Sequence, residues 1–245
     1  MPRYRLTLTY DGGGYAGWQV QPAARTLQAE LERPLAELAG QPVKAHASGR
    51  TDQGVHARGQ VVHFDLPRAL PPRTVARALN AKLPPGIRVL AARLASADFH
   101  ARKSARRKEY RYFIWNAPIL PPLRRYDHAH VRTPLDVAAM RRAARRLVGR
   151  HDFAAFTANP NREVESTVRT LSRLGISRRG SEIVISAVSD GFLYKMVRSL
   201  CGFLIRVGEG AAAPEQAAAI LASRTRTARV PTAPPQGLFL WHVTY

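Results

Sequence analysis

Ser48-Gly49-Arg50-Thr51-Asp52-Gln53-Gly54-Val55-His56-Ala57 is a polar segment with a glycine on each side of one carboxylate. Glycine permits a tight backbone path, and loops held by strands are where catalytic groups tend to sit. The segment joins two short strand-like runs, residues 43–48 and 60–65. Taken alone, Arg50-Thr51-Asp52 reads first as a turn held by an aspartate side chain.

Outward from this loop, the chain alternates between strand and helix signals. Tyr4, Leu6, Leu8 and Tyr10 alternate with polar residues as a half-buried strand, and Leu27, Leu31, Leu35 and Leu38 recur at helical spacing. Pro34 falls inside that helix and is expected to kink or restart it. A helix near 74–80 and a strand near 87–94 follow. Past the basic stretch 102–108, residues 110–115 and 127–132 read as strands, and Thr133-Pro134 reads as the N-cap and first turn of a helix reaching Val148. Residues 168–177 and 182–189 read as paired strands. Helices at 193–207 and 214–222 precede a last strand, 238–245. Strand-rich halves with a few helices each indicate an α+β fold on a largely antiparallel or mixed sheet. The expected halves are 1–104, carrying the aspartate loop, and 105–245.

The charge balance narrows the partners. Of 245 residues, 38 are Lys or Arg and 17 are Asp or Glu, a net charge of +21. Drift toward arginine-rich composition also inflates basic content, but an excess of this size fits a polyanionic partner better. The basic residues are spread through every segment, which argues against a membrane-surface helix. A single cysteine, Cys201, excludes an internal disulfide and any Cys-pair zinc site. No run approaches the roughly 20 apolar residues of a membrane span, so a cytoplasmic protein is expected.

Three further motifs have competing readings. Gly12-Gly13-Gly14-Tyr15-Ala16-Gly17 satisfies G-x-G-x-x-G after a strand, yet a dinucleotide turn needs a helix starting at those glycines. Here Trp18-Gln19-Val20-Gln21-Pro22 intervenes and the helix begins only near Thr26, so a polar loop is the better reading. Trp18 is then either core or an aromatic surface for a base. His128 and His130 share one face of a strand-like segment, but no third ligand is evident, and core or solvent-facing histidines are favoured over metal. Arg141, Arg142, Arg145 and Arg146 line one helix face with no interleaved acid. That face is either simply solvated or in contact with RNA phosphates.

Gly49-Arg50-Thr51-Asp52-Gln53-Gly54-Val55-His56-Ala57, followed by Gly59-Gln60-Val61-Val62-His63-Phe64, resembles the central signature of the tRNA pseudouridine synthase A family. Tyr10-Asp11-Gly12 with Gly17-Trp18-Gln19-Val20-Gln21 resembles that family's opening motif. Phe99-His100-Ala101-Arg102, Tyr110-Arg111-Tyr112, His151-Asp152-Phe153 with Phe156, Met196-Val197-Arg198 and Pro234-Pro235-Gln236-Gly237-Leu238 continue the family's order. Gly13, Gln53, Glu109 and Ala154-Ala155 depart from its usual residues without removing a catalytic match.

The resemblance implies the pseudouridine synthase fold: two similar α+β halves with a merged, largely antiparallel sheet and a central basic cleft. It also implies isomerisation of uridine to pseudouridine at positions 38 to 40 of the tRNA anticodon stem-loop, by a homodimer. Asp52 matches the family's catalytic nucleophile. Arg50 matches an arginine that helps displace the target nucleotide from its stack, and Tyr110 a tyrosine that packs on the flipped base. Arg198 is the candidate basic partner that keeps Asp52 ionised and binds substrate. The reaction breaks N1–C1′ and joins C5 to C1′ with no net redox change, so neither cofactor nor metal is implied.

Two other functions compete. A non-catalytic RNA-binding protein on the same scaffold would share the charge without needing Asp52. A nucleotide-cofactor oxidoreductase would rest on the glycine loop alone. If phosphate contacts dominate binding, affinity for tRNA falls steeply as salt rises from about 50 to 200 mM. A filter-binding titration across that range checks it, and a flat response contradicts it.

Overall fold

The alternation at the N-terminus produces the central strand of the first of two units in this computed structural model, which describes residues 1–158 and 165–245. That unit comprises Met1–Arg106 and Phe239–Tyr245; the second is Arg107–Leu238. In β1 (Arg3–Tyr10), Tyr4, Leu6 and Leu8 are completely buried, with Arg5, Thr7 and Thr9 on the opposite face. On one side β1 pairs antiparallel with β4 (Ile87–Ala95), and on the other with β3 (His56–Asp65), Leu6 standing opposite Ala92 and Val62 respectively. The two-residue β2 (His46–Ala47) adds antiparallel to β3. The strand β10 (Leu238–Thr244) joins β3 in parallel, with Phe239 beside His56 and Leu240 beside Ala57.

Two helices pack in this unit, α1 (Leu27–Ala39) and α2 (Pro72–Lys82). Thr26 caps α1 by accepting the Ala29 amide, and Gly40 ends it in the left-handed region at φ 72°. The helix runs unbroken through Pro34, against the expected restart. Pro34 is buried with Leu27, Leu31 and Leu35, and packing of that face holds the helix across the missing backbone hydrogen bond. The strand expected at 43–48 shrinks to β2 because α1 takes its hydrogen bonds. Glu32 accepts the Ala45 amide, and Gln28 donates to the Ala45 carbonyl.

In the second unit β5 (Arg107–Asn116) pairs antiparallel with β9 (Glu182–Ser189), which pairs with β8 (Val168–Arg179), which pairs with β7 (Gly149–Asp152). A short β6 (Ala129–Val131) lies parallel to β5. The β8–β9 hairpin turns at Gly180, φ 58°. Helix α3 (Val137–Leu147) packs on β8 and against α4 (Met196–Gly208) and α5 (Gln216–Ser223). The N-cap of α3 is Asp136, whose carboxylate accepts the Ala139 amide at 2.9 Å, and not Thr133. Buried Asn116 explains the shift. Its amide donates to the carbonyls of Val131 and Thr133 and accepts from the Leu135 amide, holding the approach extended. Both units are therefore α+β, with mostly antiparallel pairing and helices on the sheets.

Within the first unit, three imidazoles gather on β2, β3 and the loop after β4. The ring of His63 lies 4.9 Å from that of His46 and 4.6 Å from that of His100. Among the described residues no three potential ligands are arranged to hold a metal. His63 Nδ1 accepts the Ala101 amide at 3.2 Å, which fixes the neutral ring with its proton on Nε2. Burial, then the neighbouring His100, His46 and Arg3, push its pKa down to about 4, with only Asp65 opposing. A depressed histidine contributes stability above its unfolded pKa that is lost as pH falls from about 6.5 toward 4. Urea unfolding is expected to show a loss on the order of 2 kcal/mol across that window, allowing for solvent screening. His63→Asn, which retains an acceptor for Ala101, flattens this dependence; an unchanged slope contradicts the assignment.

Candidate active site

The segment 48–55 leaves β2 and enters β3, and a buried amide organises it. Gln60, completely buried on β3, accepts from Ser48 Oγ at 2.7 Å and donates to the Gly49 carbonyl at 2.7 Å and to Tyr10 Oη at 3.3 Å. Tyr10, at the end of β1, lies 2.9 Å from Thr51 Oγ1. The Tyr10 oxygen also accepts from Gln60, and either hydroxyl can supply the proton of the Tyr10–Thr51 bond. Burial pushes the Tyr10 pKa up to about 12, so the phenol stays protonated. The backbone is also held: the Trp18 amide donates to the Thr51 carbonyl at 3.0 Å, and the Val55 amide to the Asp52 carbonyl at 3.1 Å. Gly54 supplies the left-handed residue of that turn at φ 76°. Thr51 is buried, Asp52 half-buried and Arg50 exposed. The loop is thus anchored on both sides of Asp52.

The glycine motif serves this loop. No helix begins at the glycines; α1 starts ten residues past Gly17, at Leu27. A Cβ at Gly12 would stand 2.0 Å from the Val55 carbonyl oxygen, and one at Gly17 would stand 2.8 Å from the Thr51 carbonyl oxygen. The Gly12 amide donates to His56 Nδ1 at 3.1 Å. These glycines let one loop lie backbone-to-backbone on the other. Trp18 is core, 2% exposed, beside Tyr10.

Arg50 and Asp52 therefore share one loop of the first unit, whereas Tyr110 and Arg198 belong to the second. Tyr110, on β5 opposite Ala187, is buried and meets Phe192 edge-on at 5.1 Å. Arg198 sits in the first turn of α4, its Nε donating to the Ala233 carbonyl at 2.8 Å. Glu109, beside Tyr110, is neutralised by Arg111 at 2.8 Å and Arg173 at 3.2 Å. The two histidines take separate partners: His128 bridges Asp127 and Glu182, and His130 bonds the Ala117 carbonyl. On α3, Arg141 donates to the Ile176 carbonyl, and Arg146 pairs with Glu215 at 3.4 Å, an acid distant in sequence. Arg142 and Arg145 remain exposed without a carboxylate partner among the described residues.

Tyr10, Thr51 and Gln60 carry the loop, and sequence reading assigned them no role.

The profile of a family described as tRNA pseudouridine synthase matches residues 7–102 and 143–245. A tRNA pseudouridine synthase A of Halalkalibacterium halodurans is 48% identical over 239 residues, covering 97% of this chain and 90% of that one. One from Exiguobacterium is 45% identical, covering 100% and 98%, and one from Myxococcus xanthus 46%, covering 100% and 92%.

Adding a methyl group separates the glycines. Gly12→Ala is expected to displace the loop and cost roughly 1–3 kcal/mol, because only backbone could yield. Gly14→Ala, with nothing within 4 Å of the added atom, stays within about 0.5 kcal/mol. Thermal unfolding of both variants decides, and equal effects would contradict the close approach.

Proposed function

Because the chain belongs to the tRNA pseudouridine synthase family, we propose that Asp52 is the nucleophile with which it isomerises uridine to pseudouridine at positions 38–40 of the anticodon stem-loop. The observation that supports Asp52 most directly is the polar frame beneath it. Both the side chain and the carbonyl of Thr51 are bonded, and the Asp52 carbonyl is closed into a turn. A catalytic carboxylate must be held to a fraction of an ångström, and a frame of buried hydrogen bonds does that.

The reaction needs little besides that group. The N1–C1′ bond breaks, the freed base turns, and C5 bonds to C1′; C5 loses its proton and N1 gains one, so the product has the atoms of the substrate. No water is consumed and no electron is transferred. One ionised carboxylate serves as nucleophile, unlike the acid and base pair of glycoside hydrolysis.

The remaining roles follow in the same reading. The target uridine is stacked inside an RNA stem and must be everted before Asp52 can reach it. Arg50, exposed two residues before Asp52, assists that eversion. Tyr110 packs on the flipped base, its ring backed by Phe192. Arg198 binds the same nucleoside and offsets the desolvation of the carboxylate. The N-terminal half supplies the nucleophile, and the C-terminal half completes the RNA-binding surface, where Arg142 and Arg145 contact phosphate. The protein works as a homodimer in the cytoplasm; among the described residues no helix is long and apolar enough to cross a membrane.

The test is pseudouridine mapping on an unmodified tRNA transcript. Wild-type protein converts uridines at 38–40, while Asp52→Asn loses at least about 10³-fold in rate and keeps tRNA binding. Full turnover by the variant, or unmodified tRNA with the wild type, overturns the reading.

A further inference from the structure

Helix α4 begins after Lys195, a left-handed residue at φ 56° that supplies no side-chain cap. The segment 231–233 lies directly against its first two turns. Gly202 allows this approach, since a Cβ there would stand 2.1 Å from the Pro231 carbonyl oxygen. Ala233 is doubly bonded to Arg198: its carbonyl accepts from Arg198 Nε at 2.8 Å, and its amide donates to the Arg198 carbonyl at 3.0 Å. Beyond Ala233 the segment is tied down by Tyr112, which donates to the Pro234 carbonyl at 2.9 Å. Before it, the tie is Arg226. One arm of that guanidinium donates to the completely buried Ser199 Oγ at 2.7 Å and the other to Thr232 Oγ1 at 2.8 Å.

This is an unusual use of an arginine. Arg226 is half-buried, and burial lowers its pKa, yet no carboxylate among the described residues pairs with it. Its two acceptors are neutral hydroxyls, and each is next in sequence to a member of the Arg198–Ala233 pair. A desolvated cation satisfied only by hydroxyls is a costly choice for general stability. It is a good choice for geometry, because the rigid planar fork fixes two acceptors relative to each other.

We propose that Arg226 is a positioning residue that clamps Ser199 to Thr232 and thereby sets the plane of the Arg198 guanidinium. The carbonyl that receives Arg198 Nε belongs to the residue following Thr232, so its position along α4 is set by the clamp on one side and by Tyr112 on the other. Without the clamp the 231–233 segment can slide on the helix, and Arg198 follows it. Binding of the whole tRNA, spread over many phosphate contacts, is insensitive to such a movement. Turnover is sensitive, because misplacement by about 1 Å costs on the order of 10²-fold. The inference rests on the reading of Arg198 as a nucleoside-binding group.

Steady-state kinetics on a tRNA transcript test both. Arg226→Met is expected to lower kcat about 10- to 100-fold with KM for tRNA within about threefold. Arg226→Lys keeps the charge but lacks the fork, and recovers only part of the loss. Thr232→Val removes one acceptor at constant volume and lowers kcat in the same direction; it carries the test if Arg226→Met does not fold. In a double-mutant cycle, Arg198→Lys with Arg226→Met is no slower than Arg198→Lys alone. Wild-type kcat in the Arg226 and Thr232 variants, or strictly additive losses, overturns the inference provided Arg198→Lys is itself slow. Wild-type kcat in Arg198→Lys overturns the underlying reading instead.

Discussion

The side-chain amide of Gln60 is the interaction on which the first unit's chemistry depends. Its oxygen and nitrogen serve Ser48, Gly49 and Tyr10, and through Tyr10 they reach Thr51. Ser48, Gln60, Tyr10 and Thr51 are buried, so an alternative conformation of the loop would strand several polar atoms, at about 1–3 kcal/mol each. That penalty selects one loop conformation over its neighbours. The phenol of Tyr10 is a dependable member of the chain because its depressed acidity keeps the proton in place throughout the physiological range.

The two units solve a similar problem with different chemistry. In the first, a neutral amide and a phenol hold the residues just before Asp52, and glycines bring two loops into close backbone contact. In the second, a guanidinium with hydroxyl acceptors lies behind another guanidinium, and Gly202 again admits a backbone carbonyl against a helix. In each case a missing side chain permits the approach, and buried hydrogen bonds then give it one geometry.

How far this could be read from the residues depended on whether the signal was local. The alternation of β1, the helical spacing of α1 and the β8–β9 hairpin follow from period and turn chemistry, and each is present. Where long-range partners compete, local rules were overridden. Asn116 holds residues 131–135 extended and moves the start of α3 to Asp136. Glu32 and Gln28 capture the backbone at Ala45 and shorten β2. The glycines at 12 and 17 were visible as a motif, but their purpose lies in the loop they touch, which no spacing reveals. Asp52 itself was legible only through family resemblance, since a lone aspartate between glycines is also an ordinary turn. Gln60 lay within the quoted motif, without any hint of what it would bind.

The parallel pairing of β10 with β3 has a consequence for how the molecule is made. Within the first unit, Phe239 and Leu240 add the last strand to a sheet segment whose β1 to β4 all come from the first 95 residues of the chain. On the ribosome, that sheet waits for its final strand until everything between residues 107 and 238 has been synthesised. During that interval part of β3 is an open edge, a template for unwanted strand pairing in a nascent polypeptide.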